Sequence, residues 1–155
     1  MSVREIRDLL DAEEFFRGLD ADYLDLIAGC GTNTHFDAGT MIFREGEPAD
    51  TFYVLRSGKV ALEIHVPERG ALVIETLGPG ELLGWSWLFP PYKWHFDARA
   101  IDGTSAVALD GACLRGKCDD DPRLGYLLMQ RFARVSQERL QATRLQLLDV
   151  YGNAR

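Results

Sequence analysis

The spacing of apolar positions changes twice along this chain. Over residues 3 to 30 it is helical: Ile6, Leu9 and Leu10 share one face, Phe15, Phe16 and Leu19 follow, and Tyr23, Leu24, Ile27 and Ala28 repeat the pattern behind a capping Asp20. Gly29 and Gly31 close that zone, so residues 1–33 are expected to form N-terminal helices. Short β-prone runs then take over, at Thr40 to Arg44, Thr51 to Arg56, Lys59 to His65, Ala71 to Leu77, Asp97 to Ala100 and Thr104 to Asp110. Turn signals at Ser57-Gly58, Arg69-Gly70 and Gly78-Pro79-Gly80 separate them. Runs of this length and spacing predict an antiparallel roll over 34–110. Val60, Leu62 and Ile64 should face inward, and Ala61, Glu63 and His65 outward.

After a hinge at 111–121 the period becomes helical again. Asp120-Asp121-Pro122 is a helix start, with aspartates ahead of a proline at the first helical position. No proline follows and no glycine interrupts between Gly125 and Val150, which predicts one helix of about seven turns over 122–150. Its apolar positions, among them Leu124, Leu128, Phe132, Leu140 and Leu147, wrap around more than one face. One face should pack on the roll and another on a second copy, because either stripe left in water would be a sizeable apolar patch. The expected assembly is a homodimer through this helix. The fold class is therefore mainly β: an antiparallel β-roll or jelly roll with N-terminal helices and a long C-terminal helix, in a single domain over 1–155.

Composition narrows the function classes. A length of 155 residues suits one core, and 46% hydrophobic with 26% charged residues is ordinary for a globular protein. No apolar run reaches the roughly 20 residues that span a bilayer, and the first residues carry no signal-peptide core, so no membrane is expected and the cytoplasm is the expected location. Seventeen basic against 24 acidic side chains leave a net charge of -7, which argues against direct nucleic-acid binding. The cysteines, Cys30, Cys113 and Cys118, form no CxxC pair and are expected as reduced thiols, one or two of them buried. No catalytic triad, metal-ligand set or carboxylate pair emerges, so neither an enzyme nor a metal cofactor is expected.

All three tryptophans lie within 78–100, around a Pro-Pro break, and bulky flat side chains this close to a turn point to a shaped small-molecule cavity. The surrounding residues then carry a resemblance. Phe15-Phe16-Arg-Gly-Leu19, followed by Phe36-x-x-Gly39-x-x-Ile-Phe-x-Glu45-Gly46-x-x-Ala49-Asp50-x-Phe52-Tyr-Val-Leu-x-Ser57-Gly58-x-Val60, is similar to the cyclic nucleotide-binding domain of the catabolite-activator and fumarate-nitrate-regulator superfamily. Gly39, Gly46 and Gly58 fall where tight turns need positive φ or close backbone approach.

The resemblance implies a phosphate-binding cassette at Gly78-Pro79-Gly80-Glu81-Leu82-Leu83-Gly84. A short helix would follow, with amides of Gly84, Trp85 and Ser86 and the Ser86 hydroxyl turned to an anion. Two side chains depart from the family pattern. Trp85 stands where the family places a glutamate against the ribose, and Lys93-Trp94-His95 stands where it places an arginine on the cyclic phosphate. Alignment from upstream puts His95 at the arginine position, and alignment from Arg99-Ala100 puts Trp94 there. Thr143-Arg144 resembles the long-helix segment that reaches the ligand's base. The pocket is open to three readings: retuned for another small anionic or aromatic ligand, an unusual cyclic-nucleotide site, or closed by its own tryptophans. Regulators of the superfamily continue into a helix-turn-helix domain. Here Leu148 to Gly152 looks like the connection to it, which leads to the expectation of a stand-alone sensory domain acting on another protein.

Overall fold

The computed structural model describes residues 2–153. Helix α1 (Val3–Asp11) opens with a capping box, in which the Ser2 hydroxyl accepts from the Glu5 amide and the Glu5 carboxylate accepts from the Ser2 amide. A 3-10 turn at Glu14–Phe16 and helix α2 (Ala21–Ala28) follow. Eight strands come next: β1 (Gly31–Phe36), β2 (Met41–Phe43), β3 (Thr51–Ser57), β4 (Val60–Val66), β5 (Gly70–Leu77), β6 (Leu82–Leu83), β7 (Asp97–Ala100) and β8 (Thr104–Asp110). They form two antiparallel four-stranded sheets, ordered β1-β8-β3-β6 and β2-β7-β4-β5, which is the expected β-roll.

Side chains from both sheets meet in a cluster that includes Phe43, Leu55, Val60, Leu62, Leu77, Leu83, Ala98 and Ala106. A second apolar layer lies between the β1-β8-β3-β6 sheet and the N-terminal helices, where Phe15 and Phe16 meet edge to face and Phe15 reaches Phe52 at 6.2 Å. Gly58 shows why the turn after β3 needs glycine: its φ is +94°, and a Cβ there would sit 2.5 Å from both the Gly103 carbonyl and the Thr104 hydroxyl.

Several expectations need correction. The roll opens at Gly31, inside the zone read as helical, because Gly31 to Phe36 pairs with Leu109 to Thr104 of β8. Ala61 and Glu63 are 2% exposed, so the first half of β4 is buried on both faces. The segment read as a hinge folds as helix α3 (Gly111–Asp120), its first turn capped by the Asp110 carboxylate, which accepts from the Cys113 amide at 2.8 Å. The expectation of three reduced thiols fails: Cys30 and Cys113 form a disulfide with Cα atoms 5.6 Å apart, a proximity that a separation of 83 residues hides from the sequence.

Helix α4 (Pro122–Asn153) belongs to a second compact unit, which begins at Cys118. Asp121 caps it, its carboxylate accepting from the amides of Arg123 and Leu124. Leu124, Leu128 and Phe132, four residues apart, are buried. A different stripe, Tyr126, Met129, Ala133, Ser136, Leu140, Thr143, Leu147 and Val150, is exposed along its whole length. Its steps alternate three and four, a heptad spacing.

Candidate ligand site

The upstream arm of the cassette is built as a tight turn pinned to β3. The Glu81 amide donates to the Gly78 carbonyl, Gly80 donates to the Leu55 carbonyl at 2.8 Å, and Leu55 donates to the Glu81 carbonyl at 3.0 Å. Leu82 and Leu83 then pair with Val54 and Tyr53 as β6, and period-2 alternation sends Leu83 into the roll's interior cluster. Gly84, at φ +102°, turns the chain out of the strand. The expected short helix is a single 3-10 turn, Ser86–Leu88, with Trp85 at its N-cap.

The downstream arm returns through Phe89, Pro90 and Pro91, with a cis peptide between the prolines. It is laced to residues 46–49: Ala49 donates to the Tyr92 carbonyl at 2.7 Å, Trp94 to the Glu47 carbonyl at 3.0 Å, and Gly46 to the Trp94 carbonyl at 2.9 Å. These bonds fix which way residue 94 points. Its indole enters the roll, stacks on Phe43 at 3.7 Å with the rings 8° from parallel, and is 4% exposed. The far edge of the same ring lies over Gly84, so a Cβ on Gly84 would be 2.6 Å from Trp94 Cη2 and 2.8 Å from Cζ3.

The three tryptophans therefore part company instead of lining one cavity. Trp94 fills the roll. Trp87, fully buried, lies in the outer layer 5.8 Å from Phe52, while Trp85 is half-buried at the turn. Ser86 is 8% exposed beside Trp87. Lys93 and His95, which flank Trp94, are exposed. Arg99 follows the interior Ala98 and takes the other face of β7, where its guanidinium bonds to the Glu63 carboxylate, 3% exposed as a side chain. Thr143 and Arg144 are exposed on α4, in the second unit, and the Thr143 hydroxyl donates to the Arg139 carbonyl at 2.9 Å.

Sequence reasoning missed two participants. Phe43, within a matched β-run, is the stacking partner of Trp94. Arg115 on α3 donates to the Trp87 carbonyl and lies 4.4 Å over the Tyr92 ring, a cation–π contact that holds both ends of the 87–92 segment. Nothing local in the sequence marks it. Charge around the turn is modest: burial raises the Glu13 carboxyl above its ordinary value, partly offset by Arg56, and that carboxylate lies 3.4 Å from where a Gly80 Cβ would be. Burial likewise raises Tyr53, against a hydrogen bond with Thr51.

The structure also brings together a group that the sequence did not. His35 Nδ1 is 3.3 Å from Ser105 Oγ and its Nε2 is 3.5 Å from Asp37, but the His35 and Asp37 side chains are 58% and 93% exposed. An imidazole this solvated lacks the water-excluded setting that makes such a trio catalytic. Among the described residues no group of three metal-ligating side chains occurs, and no helix is long and apolar enough to cross a membrane.

An antiparallel roll, a Gly-Pro-Gly-Glu turn leading to a one-turn helix, and helices at both ends make the comparison decisive. The sequence profile of the cyclic nucleotide-binding domain matches residues 33–121, more than half of the chain. The chain belongs to that family. Its relatives include a CRP-like cAMP-activated global transcriptional regulator of Mycobacterium tuberculosis, 27% identical over 143 residues; the match spans 92% of this chain but only 62% of the regulator. Among solved structures, a Geobacter metallireducens protein provisionally named as cyclic nucleotide-binding is 29% identical, with a TM-score of 0.76, over 90% of this chain and 98% of that one. The N-terminal domain of a Streptomyces coelicolor transcriptional regulator is 26% identical, with a TM-score of 0.69, over 88% and 95%. The domain is thus a regulatory module of the cyclic nucleotide-binding type, and its resemblance to the catabolite-activator superfamily holds along nearly the whole chain.

Proposed function

We propose that this domain is a non-catalytic regulatory module in which Trp94 occupies the ligand's place, so that cAMP and cGMP are not its tight ligands. The observation that carries this reading is the indole of Trp94, buried among the interior side chains, stacked on Phe43 and pressed against Gly84. On this reading Trp94, not His95, stands at the arginine position. The family's grip on a cyclic nucleotide needs a cation on the phosphate and a carboxylate on the ribose. Here Trp94 and Trp85 replace them, Lys93 and His95 face solvent, and Arg99 is engaged by Glu63. Losing one partner of a buried charge contact costs about 2–5 kcal/mol and a hydroxyl partner about 1–3 more, which moves a micromolar site to the millimolar range or beyond.

Calorimetry with cAMP and cGMP tests the reading. No saturable heat is expected up to about millimolar nucleotide, whereas the Trp85→Glu, Trp94→Arg double variant should gain cAMP affinity. Micromolar binding by the unaltered protein would overturn the reading. Failure of the folded double variant to gain affinity would overturn the placement of Trp94.

The exposed heptad stripe of α4 supports a homodimer through that helix, with Thr143 on the seam. Leu140→Glu with Leu147→Glu should halve the mass measured by light scattering. The module acts in the cytoplasm, on a protein partner, without contacting nucleic acid or membrane itself; its net charge of -7 supports that assignment.

A further inference from the structure

We propose that the Cys30–Cys113 bond is a thiol–disulfide switch that sets how firmly helix α3 holds the cassette. The bond ties α3's first turn to the strand-leading residue Cys30, whose carbonyl accepts from the Asp110 amide at 2.8 Å. From the tied turn, α3 reaches the cassette at three points. Gly111 packs so closely that a Cβ there would lie 3.0 Å from Trp87 Cβ, and Arg115 holds both the Trp87 carbonyl and the Tyr92 ring. The covalent tie and the cassette contacts thus sit on one short helix, within four residues of each other. Breaking the tie loosens the platform on which residues 87–92 rest, whether or not a nucleotide binds.

The two sulfurs differ in access. Cys30 is 7% exposed and Cys113 is half-buried, so an incoming thiolate reaches Cys113 first. The thiolate of a reducing dithiol attacks Cys113 Sγ, the bond between the sulfurs breaks, and Cys30 leaves as a thiolate that takes up a proton. The reductant's second thiol then displaces Cys113, which is protonated in turn. Two electrons and two protons pass to the protein and the dithiol becomes a disulfide; oxidised glutathione reverses the exchange. The remaining thiol, Cys118, is a poor competitor, because burial and the neighbouring Asp119 and Asp121 raise it above the ordinary thiol range. In the cytoplasm a disulfide is more often such a switch than a permanent staple.

The test compares the 155-residue chain equilibrated with oxidised glutathione and with dithiothreitol. Peptide mass spectrometry should find Cys30 linked to Cys113 in the first sample and free in the second. Amide hydrogen exchange over 85–92 and 111–117 should be faster in the reduced form, on the order of tenfold. Cys113→Ser should show the reduced pattern in both buffers, and Cys118→Ser should still switch. If the bond does not form in oxidised glutathione, or forms without changing exchange over 85–92, the proposal is wrong. A second variant at the other end of the bond, Cys30→Ala, guards against a local defect of Cys113→Ser, because both must give the same pattern.

Discussion

Trp94 and Trp87 stand seven positions apart and are both buried, yet they belong to different interiors. Trp94 is held in the roll by a ladder of backbone bonds to residues 46–49, and its neighbours are Phe43 and Gly84. Trp87 is held in the outer layer by Phe52, Gly111 and, through its carbonyl, Arg115. On the proposed reading the first environment takes the ligand's place, and the second packs residues 87–92 against α3. One short segment therefore fills the roll with one indole and packs against a helix with another.

The largest expected effect separates these two interiors by coupling. Trp94→Ala should cost about 3–5 kcal/mol in denaturant unfolding, as other large buried truncations do. Gly84→Ala, strained by its φ and by the overlying ring, should cost about 1–3 kcal/mol from backbone strain, with the clash adding to it. Combined with Trp94→Ala, the clash part of that cost should vanish. Combined with Trp87→Ala, it should add in full, so equal coupling in both backgrounds would erase the distinction between the two interiors. A smaller effect belongs to the outer layer alone: Arg115→Met removes a hydrogen bond and a cation–π contact and should cost about 1–3 kcal/mol, with faster exchange over 87–92 and little over β6.

The smallest concerns Glu13 beneath the turn. Its folded-state value lies above the unfolded one, so its contribution is complete at acid pH below the ordinary carboxylate range and is lost as pH rises through the raised value. Glu13→Gln should therefore raise stability at neutral pH by under about 1 kcal/mol and flatten that part of the pH profile; a loss of stability would reverse the assignment.

Strands with clear apolar alternation, β7 and the glycine-bounded β8, were legible to the residue. Strand β1 was not, because Thr32, Asn33, Thr34 and His35 have no alternation of their own and extend only against β8. Helix α3 was read as a hinge since Gly111, Gly116 and the aspartates blur its period, and the partners that support it, Cys30, Trp87 and Tyr92, lie far away in sequence. For the site, the sequence supplies the expected cassette at 78–84 and the two departures from the family pattern on which the proposed function rests. It left Trp94 and His95 interchangeable, because the choice rests on backbone pairing with residues 46–49 and on the left-handed Tyr92, at φ 55°.

The disulfide also changes the covalent outline of the molecule. With Cys30 joined to Cys113, the eight strands lie inside one closed ring of chain, and α4 leaves it as a tail. A protease nick in any roll loop leaves both pieces on a single band until reductant is added. A nick between α3 and α4 gives two bands on a denaturing gel without any reductant.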